Sequence, residues 1–334
     1  MGAFHARMGA RQVSVHPDDF RPGKFEFGTK QRVHLQFGDS LGFPVLVVRG
    51  EKSGPTLVTS ANVHGDEYEG VRAILETFEA LDPGIMRGDW IGVPVLNVPA
   101  FWNGSRTSPL DGANLARVFP GSPDGTPSQQ IAWHFAHSVM LRADFYLDLH
   151  SGGVRLRMPS MAGYPAENAR ARAAAEVFGA RVIWGHPSPV DPGRTVSFAS
   201  DHGIPWLYTE ARGAGRIHPE DLAMMKRGIR NLLSHLGILP AESLESIPIE
   251  TRLFGAGNTD AAFVARQDGF LLNEIAILQS VNKGDLLGRL VDLNGEVLEE
   301  YRSPAAGIVA MTREFPVVRA GDGLYLLADE DKAA

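Results

Sequence analysis

The sequence contains no cysteine, no cluster of basic residues and no long hydrophobic run. Without cysteine there are no disulfides, thiol nucleophiles or thiolate metal sites, so any metal must be bound by His, Asp or Glu. A formal net charge of -7 without a Lys/Arg run predicts no nucleic-acid partner. No apolar stretch approaches the roughly 20 residues that span a bilayer, which predicts no membrane partner. The N-terminal segment lacks the apolar core of a signal peptide, so the expected location is the cytoplasm.

The remaining composition is that of an ordinary globular chain, with 334 residues of which 44% are hydrophobic and 21% charged. This length predicts one large domain with a smaller one, or two of similar size. Short apolar runs, which are typical of buried strands, alternate with helical patterns up to about residue 240. The runs lie at 56–61, 91–98, 144–149, 181–184 and 204–209. The alternation predicts a layered α/β domain over residues 1–245.

Helices are predicted between these strands. Val71, Ile74 and Phe78 share one helix face, because they are spaced by three and four residues. The segments "PSQQIAWHFAHSVMLR" and "PAENARARAAAEVFG" show similar patterns. A longer helix is predicted for "HPEDLAMMKRGIRNLLSHLG", where Pro219 lies in the first turn and Gly237 marks the end.

The sequence changes character after about residue 250. Short apolar runs are separated there by turn signals such as "NKGD" and "DLNGE", and no helical pattern is present. This predicts a smaller, all-β, barrel-sandwich-like domain over residues 250–330. The segments "VNKGDLL" and "VRAGDGL" share a V-x-x-G-D-x-L pattern that resembles the two halves of a biotinyl/lipoyl-type module. The hairpin that would carry the modified lysine reads "DLNGEV", so a structural or lid role is predicted rather than a carrier role.

The segment "SANVHGDEYEG" concentrates ionisable groups where a predicted strand leads into a helix. His64 and Glu67 lie just beyond the C-terminal end of that strand, the edge where open α/β sheets bind ligands. If Glu67 begins the helix, its carboxylate and the imidazole of His64 can meet one zinc ion at about 2.0–2.2 Å. The H-x-x-E spacing alone is weak, because 11 His and 39 acidic residues produce it by chance. An acidic helix start also needs no metal to explain it.

His150, in "ADFYLDLHSGG", follows another predicted strand and is expected at the same rim of the sheet. It would complete a His2Glu set and leave the open position that a catalytic zinc needs. Asp148, two residues earlier on the same strand face, could orient His150 through a hydrogen bond. Ligand groups at the ends of two separate strands indicate a metal site more strongly than the H-x-x-E spacing does.

Two further segments carry candidate site residues. The loop "NGSRTSPLDGANLARVFPG" contains Arg106, Asn114 and Arg117, and long ordered loops in compact domains are often functional. The segment "IPWLYTEARGAG" ends a predicted buried strand with Glu210, a natural place for a general base. Both segments also have a simpler explanation. Arg106 and Arg117 could be solvent-exposed residues of a surface loop, and Glu210 could do no more than cap a neighbouring element.

Together, "NVHGDEYEG", "SRTSPLDGANLARVFPG", "LDLHSGG", "TEARGAG" and the β-rich tail resemble the succinylglutamate desuccinylase/aspartoacylase family of zinc-carboxypeptidase-like hydrolases. The resemblance runs from about residue 45 to the end and is nearest the branch of N-acetyl-diaminobutyrate deacetylases. It implies that residues 1–245 form a zinc-carboxypeptidase-like catalytic domain with a mixed sheet. It also implies one zinc ion per chain and a deacylase whose substrate is a small N-acyl amino acid. The implied roles are zinc binding by His64, Glu67 and His150, polarisation of the scissile carbonyl by Arg106, substrate binding by Arg117 and Asn114, and general-base catalysis by Glu210.

Two positions depart from the family pattern. The family reads Asn-Arg-x-Phe-Pro-Gly where this chain has Ala116 before Arg117, so one hydrogen-bond donor to a substrate carboxylate is missing. The deacetylase branch carries more glycine after its catalytic glutamate, where this chain has Ala211 and Arg212. Both departures fall where specificity is set, so the acyl group and the amine half of the substrate are left open.

Two alternative functions stay open at this stage. A zinc carboxypeptidase acting on peptides would use the same chemistry, although a second domain over the site would favour smaller substrates. A non-catalytic module would have a closed metal site of four ligands, often including cysteine, which this chain lacks. A serine hydrolase is not indicated, since no G-x-S-x-G motif is present. The sequence also leaves open whether the protein forms a homo-oligomer.

Overall fold

The computed structural model describes residues 13–38, 40–259 and 262–331. The strands are β1 (Val13–Val15), β2 (Thr29–Phe37), β3 (Leu41–Arg49), β4 (Lys52–Ala61), β5 (Arg87–Val93), β6 (Phe145–Leu149), β7 (Leu156–Arg157), β8 (Met161–Pro165), β9 (Val182–His186), β10 (Trp206–Glu210), β11 (Thr251–Phe254), β12 (Phe263–Val264), β13 (Gly269–Asn273), β14 (Ser280–Val281), β15 (Leu286–Val291), β16 (Val297–Arg302), β17 (Gly307–Arg313), β18 (Val317–Val318) and β19 (Gly323–Glu330). The α-helices are α1 (Glu69–Ala80), α2 (Val98–Asn103), α3 (Pro127–Ser138), α4 (Ala169–Val177), α5 (Thr195–Asp201) and α6 (Pro219–His235). Within these ranges, the helices are too short or too polar to cross a membrane.

A large mixed sheet places three strand ends side by side. Its strand order is β1-β2-β3-β5-β4-β6-β10-β8-β9-β11-β19-β17-β14. The neighbours β4, β6 and β10 are parallel, with Ser60 beside Asp148 and Asp148 beside Tyr208. Because parallel strands end at the same edge of a sheet, the residues that follow these three strands meet there.

Helices cover both faces of this sheet because each presents an apolar stripe to it. On one face, α1, α4 and α6 bury side chains such as Ile74, Phe78 and Leu232 against the strands. On the other face, α3 and α5 bury Phe135 and Phe198. The central strands are covered on both sides, which is why β6 is buried along its whole length and reads as an apolar run. The fold is therefore layered α/β with a mixed sheet, as predicted.

Four of the five predicted apolar runs coincide with strands, within a few residues at their ends. They are 56–61 (β4), 144–149 (β6), 181–184 (β9) and 204–209 (β10). The run at 91–98 extends too far, because β5 ends at Val93 and Asn97 caps α2. The prediction missed β2 and β3, a hairpin next to the edge strand β1, in which β2 carries many polar, partly exposed residues and lacks a clean apolar run.

The tail beyond residue 250 contains strands and no α-helix in its described part, as predicted. β13, β15, β16 and β18 form a separate antiparallel sheet around a core that includes Leu271, Leu287 and Tyr325. In contrast, β11 joins the large sheet, parallel to β9 and antiparallel to β19. β17 also pairs with β7, which follows His150 by a short loop. The domain boundary at 245–250 stays a prediction, because main-chain hydrogen bonds continue from one part to the other.

Candidate metal centre

The segment between β4 and α1 turns back over the end of the sheet. Asn62 adopts a left-handed backbone conformation with a φ of 59°, which redirects the chain just beyond β4. Gly70 lets α1 lie directly on the sheet, because a Cβ atom there would come within 2.7 Å of Leu149 Cβ. This close approach brings Glu67 to the end of β6, where His150 begins the next loop.

The three residues predicted to bind a metal converge at this edge. His64 Nδ1 lies 2.7 Å from Glu67 Oε1, and His150 Nδ1 lies 2.9 Å from Glu67 Oε2. One possible ligand atom of each residue lies within 4.8 Å of the other two. Among the described residues, this is the one group of His and acidic side chains with the spacing of a three-ligand metal site.

Hydrogen bonds at the outer ring nitrogens orient both imidazoles. Asn114 Oδ1 accepts from the backbone N–H of Ala116 at 2.9 Å, which identifies that atom as the amide oxygen. The same oxygen therefore accepts the Nε2–H of His64 at 3.2 Å. The Nε2–H of His150 donates to Asp148 Oδ2 at 3.1 Å. With the outer nitrogen donating, a neutral ring of either residue leaves its Nδ1 atom with a lone pair, the state in which an imidazole binds a metal.

In the neutral rings these lone pairs face the oxygens of Glu67, which favours a positive charge between the groups: a metal ion, or a proton on His150 when no metal is bound. Two imidazole nitrogens and one carboxylate form a donor set that suits Zn²⁺ and leaves a coordination position open. Both imidazoles also have the hydrogen-bonded outer nitrogen that zinc-binding histidines show. The residues of this cluster therefore fit a zinc ion.

Burial and neighbouring charges set the protonation of the cluster. Burial, followed by the charge of Arg106, lowers the pKa of His64 to about 4. Burial alone would raise the pKa of Glu67, but the adjacent His64 and His150 lower it overall. Burial likewise opposes a charge on His150, but Asp148 and Glu67 raise its pKa well above the usual value. Glu67 is therefore an ionised carboxylate at neutral pH, as a metal ligand must be.

Glu210 ends β10 and lines the same cavity as the cluster. Its Oε2 atom is buried and has no hydrogen-bond partner among the described residues. Burial, and then the charge of Glu67, raise the pKa of Glu210 to about 8. A cation held by the cluster would stabilise the ionised form and lower that pKa. The cavity therefore contains a carboxylate with a free oxygen that can accept and release a proton.

Arg106 and Arg117 also line this cavity. Arg106 Nη1 lies 3.5 Å from Glu67 Oε1, and 36% of the Arg106 side chain is exposed. Arg117 Nη1 donates to the carbonyl oxygen of Ala116 at 2.9 Å. The Oδ1 atom of Asn114 is engaged within the protein, so only the amide NH2 group is left for a substrate. The substrate-binding roles of Asn114 and Arg117 stay predictions.

Sequence reasoning missed several polar residues of the cavity wall, among them His186, Thr195 and Tyr208. The Nδ1–H of His186 donates to the Gly255 carbonyl at 2.8 Å, and the Tyr208 hydroxyl donates to His186 Nε2 at 2.8 Å. Tyr208 could have been identified from its position two residues before Glu210, on the same face of the strand. His186 and Thr195 carry no local signal, because folding alone brings them to the cavity.

Residues 53–236 match the succinylglutamate desuccinylase/aspartoacylase catalytic domain. This chain belongs to the succinylglutamate desuccinylase/aspartoacylase family. All seven predicted site residues of this family member lie within the matched range. The predicted family resemblance is thereby confirmed.

Similarity to individual family members extends over nearly the whole chain. The chain is 34% identical over 307 residues to the N-alpha-acetyl-L-2,4-diaminobutyric acid deacetylase of Halomonas elongata, covering 86% of this chain and 85% of the relative. A succinylglutamate desuccinylase from Silicibacter sp. TM1040 has a TM-score of 0.83 at 28% identity, covering 92% of this chain and 96% of that chain. The product-bound ectoine utilization protein EutE (DoeB) from Ruegeria pomeroyi has a TM-score of 0.81 at 30% identity, covering 92% and 98%.

Proposed function

We propose that this protein is a zinc-dependent deacylase that hydrolyses the amide bond of small N-acyl amino acids. The main support is that one cavity contains a His2Glu cluster and the free carboxylate oxygen of Glu210. The name of the Halomonas elongata relative, a deacetylase of an N-acetylated diamino acid, supports the same substrate class.

His64, Glu67 and His150 would hold the ion through two Nδ1 atoms and the carboxylate. Bound zinc supplies a water nucleophile at neutral pH and polarises a carbonyl group. Asn114 and Asp148 keep the two imidazoles in the tautomer that leaves both Nδ1 atoms available.

Glu210, Arg106 and Arg117 would each have a different role in the reaction, according to their charge. Glu210 Oε2 accepts a proton from the attacking water and delivers it to the leaving nitrogen. The guanidinium group of Arg106 donates to the carbonyl oxygen as negative charge develops there. Arg117 can bind the substrate carboxylate through two parallel N–H···O bonds, which a lysine could not form.

The proposed reaction is tested with a panel of N-acyl amino acids, incubated with the zinc-loaded protein while the release of free amine is measured. We expect N-acetyl amino acids to be cleaved faster than peptides that end in the same residue. Faster cleavage of the peptides would favour a zinc carboxypeptidase. If protein that is shown to contain zinc cleaves neither the N-acetyl amino acids nor the peptides, the proposed function is wrong.

The two cavity arginines are expected to affect different kinetic constants. Arg106→Ala should lower kcat by about 10²–10³-fold, because it removes a donor to the developing negative charge. Arg117→Ala should instead raise KM by about 10–100-fold, since the unreactive carboxylate is bound alike in the ground state and the transition state. Steady-state kinetics of both variants on one N-acetyl amino acid provide the measurement.

The matched control for Arg117 is a substrate in which the carboxylate is replaced by a neutral amide. Wild-type kcat/KM should fall for this amide substrate, and Arg117→Ala should reduce that difference. Equal kcat/KM for the acid and the amide in the wild-type protein would show that Arg117 is not a carboxylate clamp.

A further inference from the structure

Asp148 is a fully buried carboxylate whose two oxygens are each fixed by a hydroxyl group. Ser60 Oγ donates to Oδ1 at 2.7 Å. Thr195 Oγ1 donates to Oδ2 at 2.5 Å, and this is the oxygen that receives the Nε2–H of His150 at 3.1 Å. Because an ionised carboxylate only accepts hydrogen bonds, all three partners must be donors. Hydrogen bonds from Ser60 and Thr195 therefore fix the carboxylate of Asp148, and this carboxylate in turn orients the ring of His150.

The two hydroxyl groups come from different parts of the fold. Ser60 lies on β4, and its Oγ atom is also 2.6 Å from the hydroxyl of Tyr146. Thr195 is the first residue of α5, which packs on one face of the sheet, and its side chain is buried where it lines the cavity. Through Thr195, the position of α5 is connected to the carboxylate that orients His150.

The hydroxyl of Thr195 is not needed to begin α5. Ser197 performs that task, since its Oγ accepts from the backbone N–H of Arg194 at 3.0 Å and donates to the Arg194 carbonyl at 2.8 Å. Thr195 Oγ1 donates to Asp148, and the buried Tyr146 hydroxyl is a hydrogen-bonding neighbour of both side chains. Removing this hydroxyl therefore leaves the helix start intact and alters the surroundings of Asp148.

We infer that Thr195 is a positioning residue of the metal site, which acts through Asp148 on His150. Its hydroxyl fixes Oδ2 of Asp148 opposite the Nε2–H of His150, and this keeps the Nδ1 atom of His150 directed at Glu67. Thr195 contributes no ligand atom of its own. The inference rests on the proposed metal site, and it assigns metal affinity partly to a residue outside the cluster.

The variant that tests this inference is Thr195→Val, which replaces the hydroxyl with a methyl group of similar size. Partners that orient a metal-binding histidine or its carboxylate typically contribute about 10–100-fold to metal affinity. We therefore expect the zinc Kd of Thr195→Val, measured by competition with a chromophoric chelator, to rise by about 10–100-fold. This readout needs no substrate.

Three matched variants separate positioning from a general effect on the fold. Thr195→Ser keeps the hydroxyl and should bind zinc within a few-fold of the wild-type protein. Ser197→Ala removes the turn hydrogen bonds at the start of α5 without touching Asp148, and should also keep zinc affinity. Ser60→Ala removes a donor from Oδ1, the oxygen that does not face His150, so its effect should be smaller than that of Thr195→Val.

The outcomes distinguish this inference from the proposed function. A wild-type protein that does not bind zinc would contradict the proposed metal site itself. Wild-type zinc affinity in a folded Thr195→Val protein would overturn only the positioning role of Thr195. An equal loss of affinity in Thr195→Ser and Thr195→Val would also overturn that role, since the hydroxyl would then not be the group that matters. If Thr195→Val does not fold, the comparison of Thr195→Ser with Thr195→Ala decides between the same outcomes.

Discussion

Replacing Glu210 with glutamine should lower kcat by about 10²–10⁴-fold, the range typical of a lost general base. Glutamine keeps the size and shape of the side chain but cannot accept a proton from water. The zinc content should stay at the wild-type level, because Glu210 lies outside the group of possible ligands formed by His64, Glu67 and His150. Kinetics on an N-acetyl amino acid and metal analysis of the same preparation provide both measurements.

Glu69 supplies the matched control for this variant. Like Glu210 it is a buried glutamate with an oxygen that has no partner in the described structure, but it lies in the first turn of α1. Glu69→Gln should therefore keep most of the activity. Activity within a few-fold of wild type in Glu210→Gln would remove Glu210 as the base, and a large loss in Glu69→Gln would then make Glu69 the next candidate.

Replacing His150 with alanine should remove zinc almost completely. The variant leaves only two ligand residues, His64 and Glu67, and a catalytic zinc site normally uses three. It also leaves the buried carboxylate of Asp148 without the Nε2–H donor that now faces it. Metal analysis after dialysis should show about one zinc per chain for the wild-type protein and close to none for His150→Ala.

His186→Ala is a suitable comparison, because His186 lines the same cavity but hydrogen bonds to Gly255 and Tyr208 instead of joining the cluster. This variant should keep its zinc even if its activity changes. Full zinc content in His150→Ala would show that the ion is held by other residues. Equal zinc loss in both histidine variants would indicate a general disturbance of the cavity instead of a lost ligand.

The parts of the structure that could be predicted from the sequence are those marked by a pattern within one short segment, such as an apolar run or a cluster of turn residues. His64 and His150 could be predicted because each lies within three residues of the end of an apolar run, and parallel strands end at one edge. Glu210 was accessible for the same reason, from the end of β10. The all-β tail was visible from its turn residues and its lack of helical spacing.

The contacts that orient these groups had no local signal. Asn114 was predicted to bind substrate, but its Oδ1 atom lies on His64, 50 residues away in sequence. Thr195 meets Asp148 across 47 residues, and Gly255 meets His186 across 69. Such pairs depend on how α5 and the tail pack against the sheet, and side-chain spacing within a single segment carries no information about that packing.

The pairing of β11 with β19 has a consequence for the order in which the chain folds during synthesis. β11 can join β9 soon after residue 254 is made, but its other edge pairs with Asp329 and Glu330 of β19, which are made much later. Until β19 has been made, the growing sheet therefore ends in an unpaired strand, and such edges favour aggregation. A stop codon shortly before β19 would leave that edge open permanently. Loss of only the last few strand residues is thus expected to affect the yield of folded protein far more than their distance from the metal centre suggests.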